Sequence, residues 1–164
     1  MNGQYVDVLS DCSAELQRIC EWIEKNRFDS NVKFLISYAT IKASGTIELV
    51  LKQILFDSLA CDCKEENGSF LIKHLVEASF NATTGKIEQI LEQMSKTWKK
   101  EFTTAVNGRT EKSDLNSLIV LRNQFAHGTP INSSIETITK YFDSGRWVLD
   151  ALDAIIINPE RGTD

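Results

Sequence analysis

The sequence predicts an all-α protein, a bundle of four to six helices, and three observations carry that prediction. Apolar residues recur at three- and four-residue spacing through most of the chain, which is the spacing of one helix face. Only two prolines and eight glycines interrupt the 164 residues, which suits long helices. No alternating apolar–polar run of useful length suggests a sheet. The length is one domain's worth, so residues 1–164 read as a single domain with 158–164 a frayed tail. There is no internal repeat and no low-complexity segment.

The first helix is expected from about residue 10 to 26. Leu9, Cys12, Leu16, Ile19, Cys20 and Ile23 form its apolar stripe, and Ser10 or Asp11 can cap its first turn. Arg27 to Asn31 is a polar turn, with Ser30 the next cap. The second helix, about 32 to 59, is the most hydrophobic. Its apolar residues cover more than one face, so it is buried in the domain centre, in a dimer interface, or in both. Between Phe34 and Phe56 it carries only Lys42, Glu48 and Lys52 as charges. No apolar run reads as long enough to cross a membrane. The start, MNGQYVDVLSDCS, lacks the basic end and apolar core of a signal peptide. The expected location is therefore the cytoplasm.

Ala60 to Gly68 is a polar loop, and Ser69 caps a short third helix over about 70 to 80 that carries His74. A lone histidine there reads as a surface or partly buried residue, with an RNA contact as the alternative. Asn81 to Gly85 is a turn. Its Asn81-Ala82-Thr83 matches a glycosylation sequon, accidental in a cytoplasmic protein. A fourth helix follows over about 86 to 102, with Ile87, Ile90, Leu91, Met94, Trp98 and Phe102 on one face. Lys96, Lys99 and Lys100 lie on the other, the densest basic cluster in the chain. It reads as a solvated face or as a set of phosphate contacts. Thr103 to Lys112 contains Asn-Gly and no apolar period, and is expected to be a loop that can reach a ligand at the next helix.

That next helix, capped by Ser113 or Asp114 and ended by Gly128, is the one the chain is organised around. Leu115, Leu118, Ile119, Phe125 and Ala126 recur on one face. Arg122 lies on the same face, where a guanidinium is costly unless it is paired or a cleft admits water. Glu48, on a mostly apolar line of the second helix, is the expected partner. That pair would fix helix register only, or hold Arg122 for chemistry. Arg122 and His127 are five residues apart, about 140° around the axis, so they can bracket a small anion. After Thr129 to Asn132 comes Ser133-Ser134-Ile135-Glu136, a capping box. The last helix runs to about 157, with Gly145 on its inward line.

Composition limits the chemistry. Of the four cysteines, Cys12 and Cys20 read as buried free thiols, and Cys61-Asp62-Cys63 lacks zinc-site spacing. No metal or cofactor is expected. A formal charge of −5 does not favour broad binding to nucleic acid. An RNA-binding role needs a local basic patch or a partner that brings the RNA.

Arg122-Asn123-Gln124-Phe125-Ala126-His127 resembles the signature of HEPN domains: an Arg, a polar residue such as Asn, and a His near a helix end. The resemblance implies an all-α domain that dimerises about a two-fold axis. It also implies a metal-independent ribonuclease, often a toxin of a toxin–antitoxin or phage-defence system, with an antitoxin protein as a further partner. Arg122, His127 and Asn123 are then the catalytic residues, with Glu48 beside them. Two copies facing a shared cleft would supply two histidines. The rival reading is a non-catalytic HEPN-type helical dimer that binds RNA, a nucleotide or a partner protein.

Overall fold

The structure, a computed structural model, describes residues 1, 3–60, 72–76 and 80–157. These residues form an all-helical bundle: α1 (Gly3–Lys25), α2 (Val32–Ala60), α3 (Thr84–Met94), α4 (Lys96–Val106), α5 (Thr110–Ala126) and α6 (Ile135–Ile157). A single π-helical turn, Ile72–Val76, lies within the expected third helix. Cys61, Cys63 and the tail after 157 lie outside the described residues, as does the side chain of His74. Among the described residues there is no strand.

Helix α1 begins at Gly3, well before the expected Ser10. The cause is Tyr5, which extends the buried stripe of Leu9, Cys12, Leu16 and Ile19 by one more turn. Its hydroxyl donates to Asp57 of α2. Burial, and then that carboxylate, push the Tyr5 hydroxyl well above the usual tyrosine pKa. Cys12 is a free thiol in the core, and burial raises its pKa too.

Helix α2 is the central helix and packs against α1, α5 and α6. By length and composition it could cross a membrane, which corrects the reading that no stretch could. Half of its most apolar stretch is buried inside the bundle, and Thr40, Ser44 and Thr46 are buried with it. Both are marks of a core helix. Phe34, Tyr38, Ile41 and Leu49 remain exposed on its outer side.

Two boundaries differ from expectation. The single helix expected over 86–102 is two, broken at Ser95, whose backbone is extended. The Ser95 hydroxyl accepts the Trp98 N–H at 3.3 Å and caps α4. The expected loop from Thr103 to Lys112 is mostly helix. Phe102 and Val106, four apart, are both fully buried and carry α4 onward. Only 107–109 form the turn, with Gly108 at φ +70°, a region that glycine enters without strain. At the start of α6 the cap is Ser134, whose hydroxyl accepts the Thr137 N–H at 3.2 Å. That is one residue later than the expected Ser133–Glu136 box.

Helices α5 and α6 run antiparallel and are joined by two contacts at one level. A Cβ at Gly145 would stand 2.9 Å from Ile47 Cδ1 of α2 and 3.3 Å from Leu115 Cδ1 of α5. A methyl there would make those side-chain ends shift, so the missing atom lets them pack directly against the α6 backbone. Beside it, buried Asp114 accepts Ser144 Oγ at 3.0 Å and meets Lys140 Nζ at 3.2 Å. Asp114 is therefore a strut between α5 and α6, not a helix cap.

Two outcomes follow from this junction. Gly145→Val should lower stability by about 1–3 kcal/mol, the usual cost of overpacking, read as an earlier urea midpoint. An unchanged midpoint would mean the contact is loose. Asp114→Ala should cost about 1–3 kcal/mol by stranding the Ser144 hydroxyl. Adding Ser144→Ala should recover part of that loss in a double-mutant cycle.

Candidate functional site

The site is built at the C-terminal end of α5. Leu115, Leu118 and Ile119 are buried and anchor the helix. Asp114 is level with Lys140 and Ser144 of antiparallel α6. Seven residues further along, α5 reaches the level where α6 begins, so its last turn projects past the start of that helix. This explains a departure from the sequence pattern: Phe125 and Ala126, expected inward, are exposed.

The helix end is locked by its backbone. Gly128 has φ +80°, its N–H donates to Phe125 O at 2.9 Å, and the Thr129 N–H donates to Gln124 O at 2.9 Å. Those two bonds make a Schellman motif. The His127 N–H bonds back to Asn123 O at 3.1 Å and Gln124 O at 3.2 Å. His127 is thus a fixed capping residue whose imidazole stands in solvent.

Arg122 is half-buried, and its Nη1 donates to Asn123 Oδ1 at 3.1 Å. That neutral bond orients the guanidinium without cancelling its charge. The expected Glu48–Arg122 pair is absent. Glu48 bonds Lys52 one turn along α2, at 2.7 Å. Its neighbour Ile47 lies beside Gly145 together with Leu115, so Glu48 is near the level of Leu115. Arg122 is seven residues beyond that, roughly 10 Å along the axis at 1.5 Å per residue. Among the described residues no carboxylate pairs with Arg122. The structure therefore brings Arg122, Asn123 and His127 to one helix end and leaves Glu48 out.

The three lysines also lie elsewhere. Lys99 pairs with Glu92 at 2.8 Å, and that bond lowers the Glu92 pKa. The α3–α4 pair is tied to the N-terminal half of α5, through Lys112–Glu88 at 3.3 Å and Thr84–Asn116 at 3.0 Å. Close by, the Arg109 guanidinium sits 5.0 Å from the Trp147 ring centroid. Lys96 and Lys100 are exposed and have no contact with Arg122 or His127. Among the described residues no cluster of His, Cys, Asp and Glu could hold a metal ion.

Sequence reasoning missed a groove beside the motif, between α5 and α6, of about 390 Å³. Gln124, inside the motif, is one of its walls. Its polar spacing on α5 was visible, but its opposite wall comes from Asn132, Ser133 and Tyr141, whose approach depends on the turn after Gly128.

In chemical terms, a planar cation with uncancelled charge and a titratable ring occupy neighbouring turns of one rigid helix end. The cation can hold a phosphate in two-point fashion, and the ring can move a proton. No curated protein and no solved structure matches the chain. A family model described as RiboL-PSP-HEPN matches residues 8–158, nearly the whole chain and all of its described helices but the first turns of α1. The chain belongs to the RiboL-PSP-HEPN family of HEPN domains.

Proposed function

We propose that this HEPN domain is a metal-independent endoribonuclease that cuts RNA through its own ribose 2′-oxygen. One observation carries the reading: half-buried Arg122, held by Asn123 and not neutralised by any described carboxylate, shares a backbone-locked helix end with His127. Cleavage of this kind requires a base for the 2′-OH, an acid for the leaving 5′-oxygen and a cation for the phosphoryl oxygens. His127 takes the proton of the 2′-OH as the oxygen attacks phosphorus. Arg122 pairs with two phosphoryl oxygens as their charge grows, and Asn123 holds the guanidinium plane. The bond to the 5′-oxygen breaks, leaving a 2′,3′-cyclic phosphate and a 5′-hydroxyl.

The proton for the leaving oxygen comes from the His127 of a second copy, because one chain supplies one motif histidine. The homodimer places two α5 ends across a shared cleft. Phe125, 40% exposed beside the motif, is the apolar surface that such a contact would cover. RNA as substrate supports a cytoplasmic location, and the habits of the family support a role as a toxin or phage-defence effector with an antitoxin protein as partner. Glu48 and the three lysines have no part in this mechanism.

Purified protein should cleave single-stranded or loop RNA in excess EDTA. His127→Ala and Arg122→Ala should each slow it by at least about a hundredfold, the scale for losing a proton-transfer group or an oxyanion donor. Arg122→Lys should not restore the rate, since lysine lacks the two-point fork. Full activity in His127→Ala would remove the mechanism and leave a non-catalytic binding domain.

Sedimentation should show a homodimer at micromolar concentration. Phe125→Asp should give a helical monomer that no longer cuts RNA. A wild-type monomer with full activity would rule out the composite site.

A further inference from the structure

The groove between α5 and α6 has no role in the chemistry above, yet it runs into the motif. Ser117, Leu121 and Gln124 line it on α5, four and then three residues apart. At helical spacing the three lining positions share a face, and Gln124 carries that face into the motif, three residues before His127. Its opposite wall is Asn132 and Ser133 of the turn and Tyr141 of α6. Its volume of about 390 Å³ is in the range of small-molecule sites.

The hydrogen-bonding groups of the groove fall into two sets. Asn116 is committed to Thr84, with its Oδ1 accepting at 3.0 Å and its Nδ2 donating at 3.1 Å. Ser117 Oγ donates to Ser113 O at 2.8 Å. The side-chain amides and hydroxyls of Gln124, Asn132, Ser133 and Tyr141 hydrogen-bond to no described residue, although the Lys140 ammonium lies over the Tyr141 ring at 6.0 Å. Two free amides and two free hydroxyls thus face one cleft from both walls. No lining residue is charged, so the groove cannot add the general electrostatic affinity of a phosphate site.

We propose that this groove is a nucleobase subsite that reads the unpaired base next to the phosphate held by Arg122. The inference rests on the ribonuclease reading for its neighbour and deepens it by naming what selects the RNA. Amide side chains pair with a base edge that shows a donor beside an acceptor, which adenine does through N6 and N7. The base must be splayed out of a helix to enter, as in single-stranded or loop RNA. Gln124 and Asn132 supply the paired bonds, and Tyr141 and Ser133 complete the cleft.

The test uses the full chain, isotopically labelled, titrated with short 2′-O-methyl oligonucleotides of A, C, G or U, which lack the free 2′-OH and are not cut. The side-chain amide signals of Gln124 and Asn132 should move, with the A oligomer bound most tightly. Gln124→Ala and Asn132→Ala should each weaken that preference by roughly five- to a hundredfold, the scale of a lost two-point base contact. Both residues are exposed, so the variants should stay folded. Equal affinity for all four oligomers, unmoved amide signals, or an unchanged preference in both variants would overturn the subsite. The two readings separate in a parallel assay on cleavable RNA. Cutting whose base preference is untouched by either variant sinks the subsite and leaves the nuclease. Base-selective binding at the groove without any cutting sinks the nuclease and leaves the subsite.

Discussion

Three helices meet at Gly145. At that point α6 comes so close to the side-chain ends of Ile47 of α2 and Leu115 of α5 that a methyl group would make them shift. Beside it, Ser144 and Lys140 hold Asp114. Interiors are close-packed, so a contact this tight sets the neighbouring side chains as well. It fixes the level of α5 against α6. The last turn of α5 is thereby carried past its neighbour, and His127 stands in solvent rather than in the core. The same register leaves room for the groove beside Gln124. Site and scaffold are thus consequences of one helix–helix approach.

Much of the fold was legible because helical spacing is a local property. The stripe Leu9–Cys12–Leu16–Ile19 and the inward line of the last helix were both readable without coordinates, and both are buried. Ser95 was not readable as a break, because Ile87, Leu91, Phe102 and Val106 stay buried on either side of it. A capping serine inside an apparently continuous stripe gives no sign that the axis turns. Thr103 to Val106 failed for a related reason: polar threonines masked a helical turn whose only apolar anchors are Phe102 and Val106.

The site was half legible. Arg122, Asn123 and His127 lie on one short segment, so their proximity follows from helix geometry alone. The Glu48 partner lay on another helix. Sequence spacing gives the rotation of a residue about its own axis, but not its height against a neighbour. Glu48 had the right face and the wrong level, and Lys52 one turn away already held its carboxylate. Phe125 and Ala126 had the right period but stand exposed. A hydrophobic stripe says which side of a helix is apolar, not where the packed partner stops.

On the proposed ribonuclease reading, an acidic chain must hold RNA by short-range, well-aimed contacts. Arg122 with its charge uncancelled meets that requirement, and the neutral groove beside it adds selectivity without charge. The central claim is that the RNA supplies its own nucleophile at this helix end. The most direct test is an RNA whose single preferred linkage carries a 2′-deoxyribose on its 5′ side, incubated with the protein in EDTA. The account predicts that cutting stops at that linkage and that other cut sites carry 2′,3′-cyclic phosphates. Cleavage through the deoxyribose linkage, or products with 5′-phosphates, would contradict it.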